Sequence, residues 1–189
     1  MKKSSEILKE LRTERLILKP ISREYTEDLF KHLSDPEVTK YMDIDTMESI
    51  KEAEEIIDFY IEKEEDRTCY RWVILDKENK EFMGTCGFNS WNRNRANRSE
   101  IGYDLSKKYW GQGYMVEALK VLLKHGFEIL DVHRIQAKVT EGNIPSCKLL
   151  EKMNFSKEGL LRDYNYWKDG FVNEYMYSLL ENEYRNKFV

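Results

Sequence analysis

A glycine turn between a predicted strand and a predicted helix constrains the fold of this chain more than any other feature. The strand covers residues 100–105, and the turn Trp110-Gly111-Gln112-Gly113 leads into a helix predicted over residues 115–130. Glycines let the backbone approach a ligand with no side chain in the way. The start of the helix directs unpaired N–H groups and the positive end of its dipole towards the same point. The segment therefore predicts a phosphate-binding turn.

Charge, cysteine content and hydropathy limit the classes of protein to which the chain can belong. Its 189 residues, 41% of them hydrophobic, suit a single domain, predicted over residues 1–189 with a core at about 13–181. A net charge of −4 argues against DNA or another nucleic acid as partner, because duplex binders carry a basic face. Cys69, Cys86 and Cys147 lack zinc-site spacing and predict free thiols in a cytoplasmic protein without a metal. No apolar run approaches the ~20 residues that span a bilayer, so no membrane partner is expected.

The hydrophobic pattern predicts strands and helices that alternate around one sheet. Period-two patterns and short apolar runs predict strands over residues 16–19, 71–75, 82–88, 100–105, 133–140, 159–162 and 172–180. Helical spacing predicts a short helix before Pro36 and further helices over residues 49–65, 115–130 and 145–153. The polar stretch 89–98 is predicted to be a loop. This order predicts an α/β (α+β) domain with one central sheet that helices cover.

Two other phosphate-binding motifs do not fit the glycine turn. A dinucleotide fingerprint requires a third glycine where Val116 stands. No G-x-x-x-x-G-K-[ST] segment occurs, which argues against a nucleoside triphosphatase. A second segment accompanies the turn instead: Asn143-Ile144-Pro145-Ser146 opens a predicted helix, and Leu-Glu-Lys-Met-Asn-Phe at residues 150–155 closes it. The two motifs together are far more specific than a lone Gly-x-Gly.

With these two motifs the chain resembles the GCN5-related N-acetyltransferases (GNAT), and within them the RimJ/RimL ribosomal-protein acetyltransferase branch. The resemblance runs from residue 13 to residue 180. The motif Arg/Gln-x-x-Gly-x-Gly/Ala is matched by residues 108–113, with Lys108 in its first position, and Asn154 replaces the usual glycine before phenylalanine. The resemblance implies a single mixed, mostly antiparallel sheet in which two parallel central strands, 103–105 and 133–140, splay apart.

The resemblance further implies acetyl-CoA as cosubstrate, with its pyrophosphate on the backbone N–H groups of the turn and its pantetheine arm between the splayed strands. Lys107 and Lys108 either add charge near the phosphates or are solvated surface lysines. The implied cofactor-binding residues belong to the strand, the turn and the second helix: Tyr103, Asp104, Leu105, Lys107, Lys108, Tyr109, Trp110, Gly111, Gln112, Gly113, Tyr114, Met115, Asn143, Ser146, Leu149 and Lys152.

Three residues are implied to be catalytic. An amine arrives protonated and needs a base, and Glu100 stands where the family often has a strand glutamate. The alternative is a surface strand carboxylate or a structural ion pair with the arginines of the 93–98 loop. Ser146 matches the serine that can protonate the departing thiolate, with Asn143 positioning the donor; the alternative is a helix-entry residue. Some ribosomal-protein acetyltransferases carry a second glutamate, but counting from Ser146 places Asn165 there.

The sequence predicts acetyl transfer by direct attack in a ternary complex, and it leaves the acceptor open. A ribosomal or other protein N-terminus and a small amine, such as a polyamine or aminoglycoside, are both possible acceptors. A CoA-binding regulatory module without transferase activity is the alternative from another class. Residues 43–66 hold 11 acidic side chains, which either attract a cationic acceptor or form the solvated face of a helix. Exposed late strands suggest a homodimer.

Overall fold

Eight strands within residues 8–188, the part of the chain that the computed structural model describes, form one sheet in the order β1-β2-β3-β4-β5-β6-β8-β7. The strands are β1 (Leu11–Arg12), β2 (Leu16–Pro20), β3 (Tyr70–Asp76), β4 (Phe82–Asn92), β5 (Arg98–Leu105), β6 (Arg134–Thr140), β7 (Ser156–Trp167) and β8 (Gly170–Leu180). Neighbouring strands in this region are antiparallel except for β5 and β6, which run parallel. The predicted mixed, mostly antiparallel sheet is confirmed.

The helices connect these strands and cover the sheet. They are α1 (Thr26–Leu33), α2 (Pro36–Thr39), α3 (Ile50–Glu65), α4 (Tyr114–Lys124), α5 (Ile144–Lys152) and α6 (Glu181–Phe188). Short 3₁₀ turns precede α1 and the glycine turn, and one π turn (His125–Ile129) extends α4. No helix within residues 8–188 is long and apolar enough to cross a membrane.

Helices pack on both faces of the sheet, which is why the middle of β3, residues 72–75, is a continuous apolar run. Side chains alternate between the faces of a strand, so Trp72 and Val73 belong to different halves of the core. Trp72 packs in the cluster that contains Leu122 of α4, and Val73 packs in the cluster that contains Ile57 of α3. All four of these side chains are fully buried. The sheet is therefore a buried central layer on which loops at its edge can be positioned rigidly.

The parallel strands β5 and β6 separate after a short paired region. Pairing between them covers only Arg98 to Glu100 opposite Arg134 to Gln136. Beyond that point β5 continues along β4 as far as Leu105, whereas β6 continues along β8 as far as Thr140. The predicted splay is thus confirmed, and it opens towards the glycine turn and the start of α5.

The element bounds differ from the sequence prediction mainly where side chains are polar. Half of the stretch predicted as a loop over residues 89–98 is strand, since β4 extends to Asn92 and β5 begins at Arg98. β7 runs over twelve residues where a short strand at 159–162 was predicted, and most of its side chains are exposed. Backbone hydrogen bonding between strands needs no apolar side chains, so the hydrophobic pattern of the sequence did not indicate these parts of the strands. The helix predicted to reach residue 130 is α-helical only to Lys124.

Candidate active site

A cavity of about 840 Å³ occupies the splay between β5 and β6. It extends from the glycine turn and the start of α5 to the side chains of α1, α3 and the loop that follows α2. Most of the predicted site residues line it: Glu100, Tyr103, Asp104, Leu105, Tyr109, Trp110, Gly111, Gly113, Tyr114, Met115, Asn143, Ser146, Leu149 and Lys152. Lys107, Lys108 and Gln112 do not line it. The fold therefore brings the two sequence motifs to one concave site.

The glycine turn has a backbone conformation that favours glycine. Gly111 and Gly113 have φ angles of +73° and +82°, in the left-handed region, and α4 begins directly after Gly113. Around Gly113 a Cβ atom would meet only Nη2 of Arg15, at 3.7 Å. The requirement for glycine is thus conformational, and the space above the turn is open to a ligand.

Arg15 lies against the glycine turn, and the sequence prediction missed it. Its Nη1 donates to the carbonyl oxygen of Gln112 at 3.2 Å, and its guanidinium lies 4.2 Å from the ring centroid of Tyr114. Its Nε donates to Oε2 of Glu117 at 2.7 Å. Burial raises the pKa of Glu117, but hydrogen bonds from Thr13 and Arg15 outweigh burial and lower it. The turn thus has a fixed cation beside it, supplied from a distant part of the chain.

Lys107 and Lys108 do not line the cavity, and each pairs with a carboxylate, that of Glu37 at the cavity and that of Glu81 away from it. Nζ of Lys107 lies 3.8 Å from Oε2 of Glu37, and Nζ of Lys108 contacts Glu81. Both lysine side chains are more than half exposed, at 59% and 57%. Exposed ion pairs of this kind contribute little to stability. A role for the two lysines at the phosphates remains a prediction.

The start of α5 places Ser146 beside a tyrosine of β5. Asn143 precedes α5, and its Oδ1 accepts a hydrogen bond from the backbone N–H of Ser146 at 3.2 Å. Oγ of Ser146 lies 2.8 Å from the hydroxyl of Tyr103. Burial raises the pKa of Tyr103, and the contact with Ser146 opposes that shift. A pair of hydroxyl groups therefore faces the cavity where β5 and β6 have separated.

Glu100 lies at the last paired position of β5, where the splay begins. Its Oε2 accepts a hydrogen bond from Nε2 of Gln136 at 3.1 Å, and its Oε1 lies 3.4 Å from Nζ of Lys138. Both partners belong to β6, so the ion pair predicted as the alternative exists, with Lys138 and not with the arginines of the 93–98 loop. The side chain of Glu100 is 19% exposed and lines the cavity.

Asn165 and a residue that the sequence prediction missed, Glu174, also line the cavity. Nδ2 of Asn165 donates to Oε1 of Glu174 at 3.5 Å. Burial raises the pKa of Glu174, and the charge of Lys138 opposes the shift. Asn165, which stands where some ribosomal-protein acetyltransferases have a glutamate, thus lies beside a carboxylate on the adjoining strand β8. No local pattern marks Glu174 as different from other strand carboxylates.

Asp104 is held in a buried polar network at the end of β5. Its carboxylate accepts from Nη2 of Arg71 at 2.6 Å and from the backbone N–H of Thr85 at 2.9 Å, and it lies 2.7 Å from Nε2 of His32. Burial alone raises the pKa of Asp104, but these contacts outweigh burial and lower it to about 2. The carboxylate of Asp104 is therefore already satisfied, and a ligand contact of this residue stays a prediction.

The residues from 8 to 188 include no group of three or more side chains arranged to hold a metal ion. Cys69, Cys86 and Cys147 are free and buried. Burial raises the pKa of Cys69 to about 11 and that of Cys86 to about 12, so neither is a reactive thiolate. The cavity lining offers hydroxyl groups, carboxylates and ammonium groups such as that of Lys138.

A strand splay beside a glycine turn, with polar side chains around it, defines an acyl-CoA N-acyltransferase class of fold and site. Residues 15–156 match the acetyltransferase (GNAT) domain family. The chain belongs to the GNAT family, and it is an N-acetyltransferase that resembles the ribosomal-protein acetyltransferases.

Individual relatives support this assignment. The uncharacterized N-acetyltransferase p20 of Bacillus licheniformis is 42% identical over 174 residues, which is 92% of this chain and 97% of that protein. The [ribosomal protein uS5]-alanine N-acetyltransferase of Escherichia coli is 30% identical over 97 residues, 51% of this chain and 50% of that enzyme. A RimL ribosomal L7/L12 α-N-protein acetyltransferase in complex with coenzyme A shares the fold, with a TM-score of 0.83 at 19% identity; the match covers 93% of this chain and 99% of that one.

Proposed function

We propose that this N-acetyltransferase takes its acetyl group from acetyl-CoA and transfers it to a primary amine by direct attack in a ternary complex. The observation that carries the proposal is the position of the glycine turn at the open end of the β5–β6 splay. A ligand with a phosphate group at one end and an extended amide-containing arm fits that arrangement. Acetyl-CoA supplies an activated acyl group at the end of such an arm.

The donor half of the site suits coenzyme A because the protein groups that would bind the pyrophosphate and the pantetheine arm follow one another along the cavity. The N–H groups of Gln112, Gly113, Tyr114 and Met115 are assigned to the pyrophosphate, at the positive end of α4. Arg15 adds a cation beside them. The facing edges of β5 and β6, which do not pair past residues 100 and 136, are assigned to the pantetheine arm as an added strand would be.

Three side chains are assigned to the chemistry. Glu100 accepts the proton that the acceptor ammonium group loses, directly or through water. Ser146 donates a hydrogen bond or a proton to the departing sulfur, and its contact with Tyr103 holds its hydroxyl towards the splay. Asn143 acts on Ser146 through the backbone N–H and is a positioning residue.

The acceptor is proposed to be an amine that enters as a cation. The cavity lining includes the carboxylates of Glu37, Asp43, Glu100 and Glu174. Relatives named as ribosomal-protein acetyltransferases support a protein α-amine, in a cytoplasmic setting that also suits three free thiols. Small amines are the alternative acceptors with the same charge.

An acceptor panel tests the proposal. Purified enzyme is mixed with acetyl-CoA and, separately, with peptides that begin with alanine or serine, spermidine, an aminoglycoside and free amino acids. Release of free CoA thiol above the amine-free rate is the expected result for at least one acceptor. Tight acetyl-CoA binding without thiol release for any amine would instead favour a regulatory module, and absence of acetyl-CoA binding by calorimetry would contradict the whole proposal.

The predicted homodimer also stays a proposal. The hairpin of β7 and β8 exposes large aromatic side chains near its tip, with Tyr166 64% and Phe171 68% exposed. Their rings contact each other at 5.1 Å. Sedimentation equilibrium of the purified chain tests the proposal, because a mass that stays monomeric at high concentration contradicts it.

A further inference from the structure

Glu174 is a buried carboxylate that points a free oxygen into the proposed active site. The residue is 7% exposed and lies on β8, and it lines the same cavity as Glu100 and Ser146. Its Oε2 has no hydrogen-bond partner within the described part of the chain. A buried carboxylate oxygen without a hydrogen bond is costly, because the water removed from it has not been replaced. Such a group calls for a hydrogen-bond donor closer than the ammonium group of Lys138, which lies 4.0 Å away.

The nearest cation to this oxygen is Lys138, and it is shared. Nζ of Lys138 lies 4.0 Å from Oε2 of Glu174 and 3.4 Å from Oε1 of Glu100. The same ammonium group lies 5.1 Å from the ring centroid of Tyr164. A position between two carboxylates and over an aromatic face suits an ammonium ion. Lys138 therefore occupies a site suited to a cation, but its ammonium group is too far from Glu174 to donate a hydrogen bond.

The charge balance around Lys138 leaves room for a second cation. Glu100 and Glu174 flank Lys138, and the negative charge of Asp43, which lines the same cavity, raises the pKa of Glu174. The neutral amide of Asn165 satisfies Oε1 and contributes no charge. Lys138 thus lies near two carboxylates, and a third, that of Asp43, lines the same cavity. An incoming ammonium group can contact Oε2 without breaking an existing hydrogen bond.

We propose that Glu174 binds the ammonium group of the acceptor through Oε2 and so selects amines that enter as cations. The inference rests on the proposed function, because it assigns a residue to the acceptor of that reaction. Lys138 moves aside or shares the carboxylates when the acceptor enters, and its long, partly exposed side chain permits this. Glu174 acts in binding, whereas Glu100, nearer the splay, receives the proton.

Glu174→Gln tests the inference, with Glu141→Gln as the matched control. The glutamine keeps the size of the side chain and removes its charge. Glu141 is exposed, does not line the cavity, and bonds Nδ2 of Asn173 at 2.8 Å. Kinetics are measured with the best amine of the acceptor panel, together with acetyl-CoA affinity and thermal melting. The expected result is a rise in acceptor KM of at least about tenfold in E174Q, because the variant removes a charged acceptor of hydrogen bonds from the ammonium group.

In E174Q the acetyl-CoA affinity and the melting temperature are expected to stay at wild-type values, and E141Q is expected to match the wild type throughout. An unchanged acceptor KM in E174Q, or a fall in kcat alone, would overturn the inference while the proposed function stands. If the wild type releases no thiol with any amine, the proposed function fails and the inference falls with it.

If E174Q does not fold, Lys138→Gln tests the inference by removing the cation that competes with the acceptor for Glu174. Removal of the competing cation is expected to lower the acceptor KM, because both carboxylates then face the cavity without an internal partner. A KM equal to or above the wild-type value in K138Q would overturn the inference.

Discussion

The hydroxyl of Tyr103 lies 2.8 Å from Oγ of Ser146, and this contact joins the separated part of β5 to the first turn of α5. The two residues are 43 positions apart in the chain. The contact lies where β5 no longer pairs with β6, so it orients a hydroxyl group towards the gap and not into the sheet. This geometry gives the proposed proton donor a defined direction.

Ser146→Ala is expected to lower kcat, because it removes the group assigned to the departing sulfur. General acids contribute roughly 10²- to 10⁴-fold to such reactions, so a loss of at least about tenfold is expected. Thiol release under saturating acetyl-CoA measures it. Tyr103→Phe serves as the control: it keeps the serine, removes only its partner and should cause a smaller loss. A wild-type kcat in Ser146→Ala would remove Ser146 from the chemistry.

Gly113→Glu is expected to abolish acetyl-CoA binding. The φ angle of +82° is strained for any side chain, and the new carboxylate would stand where the pyrophosphate is proposed to bind. Calorimetric titration with acetyl-CoA measures the loss. Gly159→Glu is the matched control, because a Cβ atom at Gly159 meets nothing within 4 Å and the residue does not line the cavity. Equal affinity in Gly113→Glu and wild type would refute the assignment of the turn.

Arg15→Ala is expected to weaken acetyl-CoA binding about tenfold, since a charged hydrogen bond contributes about 1.5–3 kcal/mol. The guanidinium also bonds Gln112, so its loss loosens the turn itself. The same titration measures the effect. Arg12→Ala provides the comparison, as Arg12 is 60% exposed and pairs with Glu10 away from the turn. Identical affinities for the two variants would contradict a role of Arg15 at the phosphates.

Glu100→Gln is expected to lower turnover most at low pH. An aliphatic amine has a pKa of about 8 to 10, so the fraction that is already neutral falls as pH falls and the need for a base grows. The measurement is the pH dependence of kcat/KM for wild type and variant. A variant profile parallel to that of the wild type would show that Glu100 is not the base.

Asp104→Asn is expected to destabilise the fold by about 3–5 kcal/mol, because it leaves the guanidinium of Arg71 buried without its counter-ion. The pKa of Asp104 is lowered from 3.8 to about 2, so its contribution to stability is present above pH ~4 and is lost as pH falls towards 2. Urea unfolding at neutral and acid pH measures both effects. The exposed Asp45→Asn should leave the unfolding curve unchanged, and an equally stable Asp104→Asn would contradict the stabilising role.

The order of most elements could be predicted because their local patterns are strong. Apolar period and turn chemistry marked β3, α3 and α4. Asn154, which replaces the usual glycine before phenylalanine, adopts a left-handed conformation at a φ of +62°. β1, α2 and α6 were missed, since each is short or polar. The length of β7 was missed because an edge strand with exposed side chains has no apolar signal.

The candidate site divides in the same way between local and distant contacts. The glycine turn and the Asn143–Ser146 segment are local motifs, so the sequence indicated them directly. Arg15 and Glu174 are ordinary charged residues of the sequence, and their positions beside the turn and in the cavity come from strand order. The sheet places them there over long separations, and a single sequence contains no signal for that.

The pairing of Arg15 and Glu117 has a consequence for how the site forms. Thr13 and Arg15 fix the start of α4 by bonds that span 104 and 102 residues, so the glycine turn takes its final form only after the ends of that long loop have met. Contacts of such separation form late in folding, because the chain must first lose the entropy of closing the loop. A variant that lacks residues 1–16 would keep every residue of the glycine turn, but it would lose the hydrogen bonds from Thr13 and Arg15 to Glu117 that fix the start of α4.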